Sequence, residues 1–128
     1  MPTLDAIGIV SSDVAESATF YRLLGLDFPE SAEDHLEATT PNGLRVMLDS
    51  VEMAKQFDPN WVQPAGKPIA LAFLCSSPDE VNETHARVVA AGYRSKNEPY
   101  DAFWGQRYAT VLDPDGNAVD LFAPLADA

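Results

Sequence analysis

The sequence has a single cysteine and no apolar run long enough to cross a membrane, and each scarcity excludes a class of protein. Cys75 cannot form a disulfide within the chain, and because it follows Phe73 and Leu74 we expect a buried thiol in a reducing compartment. A membrane helix needs about 20 consecutive apolar residues, and the N-terminus lacks the basic start and apolar segment of a signal peptide. These features predict a cytoplasmic protein that makes no membrane contact.

Positive charge is also scarce, with eight basic residues against twenty acidic ones and a formal net charge of −12. Such a surface repels nucleic-acid phosphates and anionic lipids, and it attracts cations. Nucleic acid is therefore not an expected partner. The remaining composition, 46% hydrophobic and 22% charged over 128 residues, is typical of a globular domain with one core.

The most informative stretch lies near the C-terminus and predicts a hairpin. In Asp113-Pro-Asp-Gly116, proline presets a turn and glycine supplies the positive φ that closes it. The flanking segments, Tyr108–Leu112 and Ala118–Phe122, are rich in the aromatic and β-branched residues that strands favour. A loop with four large rings in nine residues leads into this hairpin, and Gly105 allows it to bend sharply. We therefore expect that loop to carry a site.

The two halves of the chain repeat one pattern with an offset of about seventy residues. A capping residue and a carboxylate three positions later predict a helix from Asp13 to Leu24, and the same spacing predicts a second helix from Ser77 to Ala91. Gly25 and Gly92 follow the two helices as left-handed caps. An Asn-Gly or Asp-Gly turn then predicts a hairpin in each half.

The other predicted elements complete two tandem modules of the βαβββ type. A linker rich in proline, over 58–67, separates the first module, about 1–57, from the second, about 68–125. Two sheets with helices on one face only must cover the other face, so we predict an α+β fold in which both modules curl into one incomplete barrel. The predicted strands outside the C-terminal hairpin are Leu4–Val10, Leu26–Pro29 at an edge, His35–Thr40, Leu44–Asp49 and Pro68–Cys75, with a short helix at Val51–Phe57.

This paired arrangement resembles the vicinal oxygen chelate superfamily. The resemblance lies in Phe20-Tyr-Arg-Leu-Leu-Gly25, which closes the first helix, and in Asp113-Pro-Asp-Gly-Asn-Ala-Val-Asp-Leu121 at the end of the chain. The superfamily includes glyoxalase I, extradiol dioxygenases and antibiotic-binding resistance proteins. The resemblance covers essentially the whole chain and implies the glyoxalase-like fold.

Enzymes of that superfamily hold a divalent metal on His or Glu side chains from several strands, and the resemblance implies where those ligands would fall. The first position is Ala6 and the one that opens the second module is Pro68, and neither side chain can bind a metal. The last position is Asp120, and the remaining one falls within 47–49. Catalytic metal sites normally use three protein ligands, and both histidines lie elsewhere, so we expect no metal and no cofactor.

Within the superfamily, the chain most resembles the mitomycin-resistance protein and a protein that binds thiocoraline. The resemblance lies in Phe57-Asp-Pro-Asn-Trp61, Trp104-Gly-Gln-Arg-Tyr108 and Asp120-Leu-Phe-Ala-Pro124. Those proteins sequester a planar drug in crevices at a dimer interface. The resemblance implies a homodimer that binds a planar aromatic small molecule, with or without a positive charge, and leaves it chemically unchanged.

The candidate binding residues are rings that can stack on a flat ligand and side chains that can face its edge. Rings in strands also commonly form the core, and Trp61 can equally clamp the linker onto the domain. We expect Arg107 to ion-pair with one of the two strand carboxylates as a strut, His85 to pack against the second helix's neighbours, and His35 to lie exposed on a strand. The candidate ligand-binding residues are Trp104, Phe103, Tyr108, Tyr100, Asp49, Trp61, Asp120 and Met47.

Two other function classes remain open from the sequence. A lyase, isomerase or dioxygenase of the superfamily could use Asp120 and Asp49 as acid and base without a full metal site. An interaction module without a small-molecule ligand would instead have a barrel filled by side chains. Following the mass of a bound compound over time separates an enzyme from a protein that only sequesters it.

Overall fold

A computed structural model of the chain describes residues 1–125, which form two compact units. Unit 1 comprises Met1–Pro64 and unit 2 begins at Ala65, so the boundary lies in the predicted linker. Each unit has one sheet that contains both parallel and antiparallel strand pairs, and neither sheet closes on itself within the described residues. The predicted α+β fold is therefore confirmed. No helix over residues 1–125 is both long and apolar enough to span a bilayer.

Unit 1 has three strands and two helices, which are β1 (Ala6–Ser11), α1 (Val14–Arg22), β2 (His35–Thr39), β3 (Arg45–Ser50) and α2 (Val51–Phe57). β3 lies in the middle of the sheet, parallel to β1 and antiparallel to β2. The Asp13 carboxylate accepts a hydrogen bond from the backbone N–H of Glu16 at 3.1 Å, which begins α1 as the spacing predicts.

The core of unit 1 lies between α1 and the sheet. Every second residue of β2 and β3 is buried there, as the alternation of side chains along a strand requires. Rings of Phe20 and Tyr21 meet edge to face at 4.9 Å between centroids, and Phe28 packs against Tyr21 at 6.5 Å. The buried strand residues of this core are Leu36, Ala38, Val46 and Leu48.

Up to residue 125, unit 2 has four strands and one long helix, which are β4 (Leu71–Leu74), α3 (Pro78–Ala90), β5 (Arg94–Ala102), β6 (Gln106–Leu112) and β7 (Ala118–Pro124). The strand order is β4-β7-β6-β5, with α3 packed against β5, β6 and β7. The Ser77 hydroxyl caps α3 by accepting from the backbone N–H of Glu80 at 3.1 Å.

The turn between β6 and β7 is held by one buried carboxylate. Asp113 accepts hydrogen bonds from the backbone N–H groups of Asp115 and Asn117, at 2.9 and 2.8 Å, and from the side-chain amide of Asn117 at 2.8 Å. Gly116 takes a φ of +86°, which a residue with a Cβ rarely adopts. The hairpin predicted from this turn is confirmed.

The predicted strand Leu26–Pro29 is wrong, because an arginine side chain and not a neighbouring strand donates hydrogen bonds to its carbonyls. Leu26–Pro29 has no regular structure. The Arg22 side chain donates from Nε to the carbonyl of Phe28 at 2.9 Å and from Nη2 to that of Pro29 at 2.8 Å. These bonds satisfy the backbone without a sheet partner, while Leu26 and Phe28 remain buried in the core. Unit 1 therefore has three strands where four were predicted.

The predicted aromatic loop is a strand end followed by a tight turn. Tyr100 lies in β5 and Tyr108 in β6, so only Phe103 and Trp104 occupy the turn between them. β5 is an edge strand, which is why it tolerates Pro99. Smaller differences are that α1 ends at Arg22 rather than Leu24, β1 begins at Ala6 rather than Leu4, and β4 begins at Leu71 rather than Pro68.

Candidate ligand-binding site

The sheet of unit 2 has one face against α3, and the opposite face carries most of the candidate residues. Ala109 and Leu121 are buried on the α3 side. Because side chains alternate along a strand, Tyr108, Thr110 and Asp120 project from the other face. The strand register places Thr110 directly opposite Asp120. We call this side of the unit 2 sheet the aromatic face.

Four rings on the aromatic face and its adjoining turn form a connected group, which we call the aromatic cluster: Tyr100, Phe103, Trp104 and Tyr108. Trp104 lies at its centre, with ring centroids at 4.9 Å from Phe103, 5.3 Å from Tyr108 and 6.5 Å from Tyr100. All three pairs are edge to face, with interplanar angles of 80° to 89°. Trp104 is therefore contacted by three other rings.

The tight turn explains how two of these rings come to be exposed. The backbone N–H of Gly105 donates to the carbonyl of Ala102 at 3.0 Å, and Gly105 has a φ of +92°. This turn leaves the residue Phe103 96% exposed and Trp104 48% exposed. The Trp104 indole N–H donates to the Gln106 side-chain carbonyl at 2.8 Å, which orients the ring. The cluster thus combines rings in mutual contact with exposed apolar surface.

Asp120 forms the polar end of the aromatic face. Its Oδ2 accepts a hydrogen bond from the Tyr108 hydroxyl at 2.6 Å, and its Oδ1 accepts one from the Thr110 hydroxyl at 2.8 Å. Burial, and after it the hydrogen bond to Asp120, raises the pKa of Tyr108 to about 12. Tyr108 therefore remains a neutral donor at physiological pH and links the carboxylate to the aromatic cluster.

The corresponding face of unit 1, opposite α1, carries a chain of charged groups, and we call it the charged face. His35 Nδ1 lies 2.5 Å from Asp49 Oδ1, and its Nε2 lies 2.6 Å from Glu37 Oε2. Arg45 continues the chain by donating to Glu37 Oε1 at 2.7 Å and to Asp5 Oδ2 at 2.7 Å. Each of the charged side chains on this face named above has a partner of opposite sign when His35 is protonated.

Electrostatics on the charged face follow from this pairing. The hydrogen bonds to Asp49 and Glu37 raise the pKa of His35, and the hydrogen bond from His35 is the main reason that the pKa of Glu37 is lowered. Asp5 and Glu37 raise the pKa of Arg45. Met47 lies between Arg45 and Asp49 along β3 on the same face, and Leu48 is buried on the other.

Residues 3–121 match the model of the glyoxalase/bleomycin resistance protein/dioxygenase superfamily. The chain belongs to this superfamily. A search of curated proteins gave no match.

Solved structures share the fold. A family enzyme from Burkholderia phytofirmans PsJN is 19% identical, with a TM-score of 0.85, over 97% of this chain and 100% of that one. A glyoxalase-related enzyme from Fulvimarina pelagi is 22% identical, with a TM-score of 0.84, over 96% and 88% of the two chains. A protein from Agrobacterium tumefaciens is 26% identical, with a TM-score of 0.77, over 98% and 100%.

The residues present do not fit the metal centre that the superfamily resemblance implies. Ala6 and Pro68 offer no donor atom at two of the implied positions. Asp49 and Asp120 offer carboxylates, but one binds an imidazole and the other accepts two hydroxyl protons. Within residues 1–125, no three His, Cys, Asp or Glu side chains are grouped so that they could hold a metal ion.

The sequence-predicted site residues divide between the two units. Asp49 and Met47 share the charged face of unit 1, whereas Asp120 shares the aromatic face of unit 2 with Tyr108. Trp61 belongs to unit 1, where its backbone N–H donates to the carbonyl of Asp58 at 2.9 Å in a turn and its side chain is partly buried. The remaining residues of the aromatic cluster are Tyr100, Phe103 and Trp104.

Two expectations about individual side chains are corrected. Arg107 is a strut, but its partners are Asn82 of α3, at 2.9 Å, and Asp101, at 3.1 Å. It cannot pair with Asp120 because it projects from the α3 side of the sheet. His35 lies on strand β2 as expected, but it is only partly exposed, and both its ring nitrogens have carboxylate partners.

Two other expectations hold. His85 is buried in unit 2 and hydrogen-bonds through Nε2 to the Ser95 hydroxyl at 2.7 Å. Cys75 is buried, and that burial raises the pKa of its thiol, which disfavours the reactive thiolate.

Sequence reasoning missed Thr110 and the pair Glu37 and Arg45. Thr110 lies two positions from Tyr108 on a strand, so alternation puts both on one face, but the register between strands is needed to put Thr110 opposite Asp120. Glu37 likewise follows His35 by two positions in β2. The signal for these residues was present, but using it required the register between strands.

Proposed function

We propose that the aromatic face of unit 2 binds a planar aromatic small molecule and that the protein sequesters this molecule without changing it. The observation that carries the proposal is the exposure of Phe103 and Trp104, at 96% and 48%, in a cluster whose rings are already in mutual contact. Contiguous exposed apolar surface is typical of a ligand or partner site. The resemblance to antibiotic-sequestering members of the superfamily indicates the class of ligand.

The geometry of Trp104 suits stacking. Contacts with Tyr100, Phe103 and Tyr108 hold the indole in one orientation, so binding a flat ring costs little side-chain entropy. Covering apolar surface contributes about 25 cal/mol per Å², and an aromatic pair adds about 0.5–1.5 kcal/mol to that. A ligand of two or three fused rings would gain from both terms.

We also propose that the protein is a homodimer in which this face lies at an interface crevice. Several large apolar side chains in both units are exposed, and a two-fold pairing would cover the same patch on both copies. Light scattering at micromolar concentration tests this part, and a monomeric mass would remove it. The exposed side chains in question include Phe57, Val62, Ile69 and Leu74.

Whether the bound ligand stays chemically unchanged distinguishes sequestration from catalysis. Planar antibiotics would be incubated with excess protein, and bound and free compound would be followed by mass spectrometry over time. We expect the compound to co-elute with the protein and to keep its mass. Trp104→Ala is the matched control, because it should lose the retained compound. A product that accumulates with time would overturn sequestration in favour of an enzyme that uses Asp120 and Asp49 as acid and base.

A further inference from the structure

The polar end of the aromatic face offers hydrogen-bond acceptors to a ligand. The hydroxyl protons of Tyr108 and Thr110 both point to Asp120, at 2.6 and 2.8 Å, so neither is available to a third group. A carboxylate has about four lone-pair sites, and these two bonds use one on each oxygen. A ligand group that meets this end must therefore donate a hydrogen.

Asp120 also keeps an uncompensated negative charge. Its hydrogen-bond partners among residues 1–125 are neutral hydroxyls, and none of the ion pairs in that part of the chain includes it. Asp49 of the charged face differs, since it pairs with His35. The overall charge of −12 adds a long-range attraction for cations. These features favour a positively charged donor at Asp120.

The rings do not form a cage for a quaternary ammonium group. Such a cage needs open space between its aromatic faces. In the aromatic cluster, Tyr100 and Tyr108 are in contact at 6.3 Å between centroids, and Trp104 contacts both. We therefore expect a ligand cation to bind at the Asp120 carboxylate, where an N–H group gains a charge-assisted hydrogen bond.

From these observations we infer that the ligand carries a protonated amine with an N–H group on, or a short arm from, its flat ring system, and that Asp120 binds this amine. Tyr108 sets the distance between the flat rings and the amine of the ligand, because its ring contacts Trp104 and its hydroxyl donates to Asp120. The inference rests on the proposed function and adds the chemical class of the ligand.

Three probes of the same ring size test the inference on the wild-type protein by isothermal titration at neutral pH. 9-Aminoacridine is a cation with N–H donors, N-methylacridinium has the same charge without a donor, and acridine is neutral. We expect 9-aminoacridine to bind at least about tenfold more tightly than N-methylacridinium, and acridine to bind most weakly. Equal affinities of 9-aminoacridine and N-methylacridinium would overturn the inference.

Asp120→Asn then removes the charge with little change in shape. We expect it to lose the preference for 9-aminoacridine, at least about tenfold, while acridine binding changes little. Asp101→Asn is the matched control, because Asp101 lies on the α3 side with Arg107 and its loss changes the net charge equally. The wild-type probe series decides the matter even if Asp120→Asn does not fold, which a thermal melt would reveal.

The possible failures are distinguishable. If Trp104→Ala weakens all three probes but Asp120→Asn leaves their ranking intact, the aromatic face binds planar rings and the amine inference is wrong. If none of the probes binds the wild-type protein, both the proposed function and the inference are wrong. An unchanged preference in Asp101→Asn, together with its loss in Asp120→Asn, supports both.

Discussion

Each unit contains aromatic rings in edge-to-face contact, but the two groups of rings differ in their exposure to solvent. In unit 1, Phe20, Tyr21 and Phe28 are at most 2% exposed and form the core under α1. In unit 2, the aromatic cluster lies on the face opposite α3, and Phe103 is almost fully exposed. Ring contacts of the same geometry therefore build a core in one unit and a candidate binding surface in the other. What distinguishes the two groups is that the rings of unit 2 include exposed residues, whereas those of unit 1 are buried.

The charged residues of the two units also differ, in whether a carboxylate has a partner of opposite charge. On the charged face of unit 1, each of the three carboxylates pairs with His35 or Arg45. On the aromatic face of unit 2, Asp120 has only hydroxyl partners within residues 1–125. A face whose charges satisfy one another offers little to a ligand. This contrast supports our proposal that unit 2 carries the binding role, and the following changes test it.

The largest expected effect is on folding, from Phe20→Ala in unit 1. Removing a fully buried ring leaves a cavity, so the free energy of unfolding should fall by about 3–5 kcal/mol. Chemical denaturation followed by circular dichroism measures it. A loss below about 1 kcal/mol would mean that this ring is not part of a tightly packed core, and the contrast between the two groups of rings would fail.

Trp104→Ala should act mainly on binding. The loss of stacking and of buried area predicts about 1.5–4 kcal/mol in binding free energy for a planar ligand, which is at least tenfold in affinity. The unfolding free energy should fall by less than it does for Phe20→Ala, because about half of the indole is already exposed. Titration and a denaturation curve on the same sample separate the two roles. Unaltered affinity with a large loss of stability would make Trp104 a core residue.

The charged face predicts a smaller effect that depends on pH. The pKa of His35 is raised above its ordinary value of 6.5 in the folded chain, so protonated His35 stabilises the fold. That stabilisation is complete below the unfolded pKa and is lost as pH rises through the folded one. Because His35 is partly exposed, we expect less than about 1 kcal/mol.

His35→Gln checks this assignment, because it keeps a polar side chain and removes the titration. Its unfolding free energy should lack the decrease that we expect of the wild-type protein as pH rises from 6.5 through the raised pKa of His35. An NMR titration of the His35 ring protons gives the folded pKa directly. A value at or below 6.5 would contradict the bridging geometry between Asp49 and Glu37.

The smallest effect on stability should come from Phe103→Ala. Its side chain is almost fully exposed, so the free energy of unfolding should stay within about 0.5 kcal/mol of wild type. If Phe103 covers a ligand stacked on Trp104, the same change weakens binding. A marked loss of stability would show that Phe103 is covered in the native protein, as at a dimer interface.

The parts of the fold that the sequence predicts are those set by local chemistry. The capping pairs at Asp13 and Ser77 begin helices as expected, and the Asp113 turn closes its hairpin. Leu26–Pro29 could not be predicted in the same way, because a side chain from α1 rather than a strand satisfies its carbonyls. Such a contact depends on tertiary structure, which propensity does not describe.

In the candidate site, too, the features set by local sequence could be predicted and those set by tertiary structure could not. A cluster of rings near Gly105 is visible in the sequence, and alternation within one strand places Tyr108 and Thr110 on one face. The link from that face to Asp120 requires the pairing of β6 with β7, and the partners of His35 require that of β2 with β3. Register between strands is set by the whole sheet, so these contacts emerge only from the structure.

The most direct test of the binding role of unit 2 uses the two tryptophans as separate reporters. Trp104 lies in the aromatic cluster and Trp61 in unit 1, and each gives its own indole N–H signal in a nitrogen-15 NMR spectrum. During titration with 9-aminoacridine, we expect the Trp104 signal to shift strongly, together with the amides of β5 and β6, while the Trp61 signal and the amides of β2 and β3 stay in place. Shifts confined to Trp61 and the charged face would contradict it.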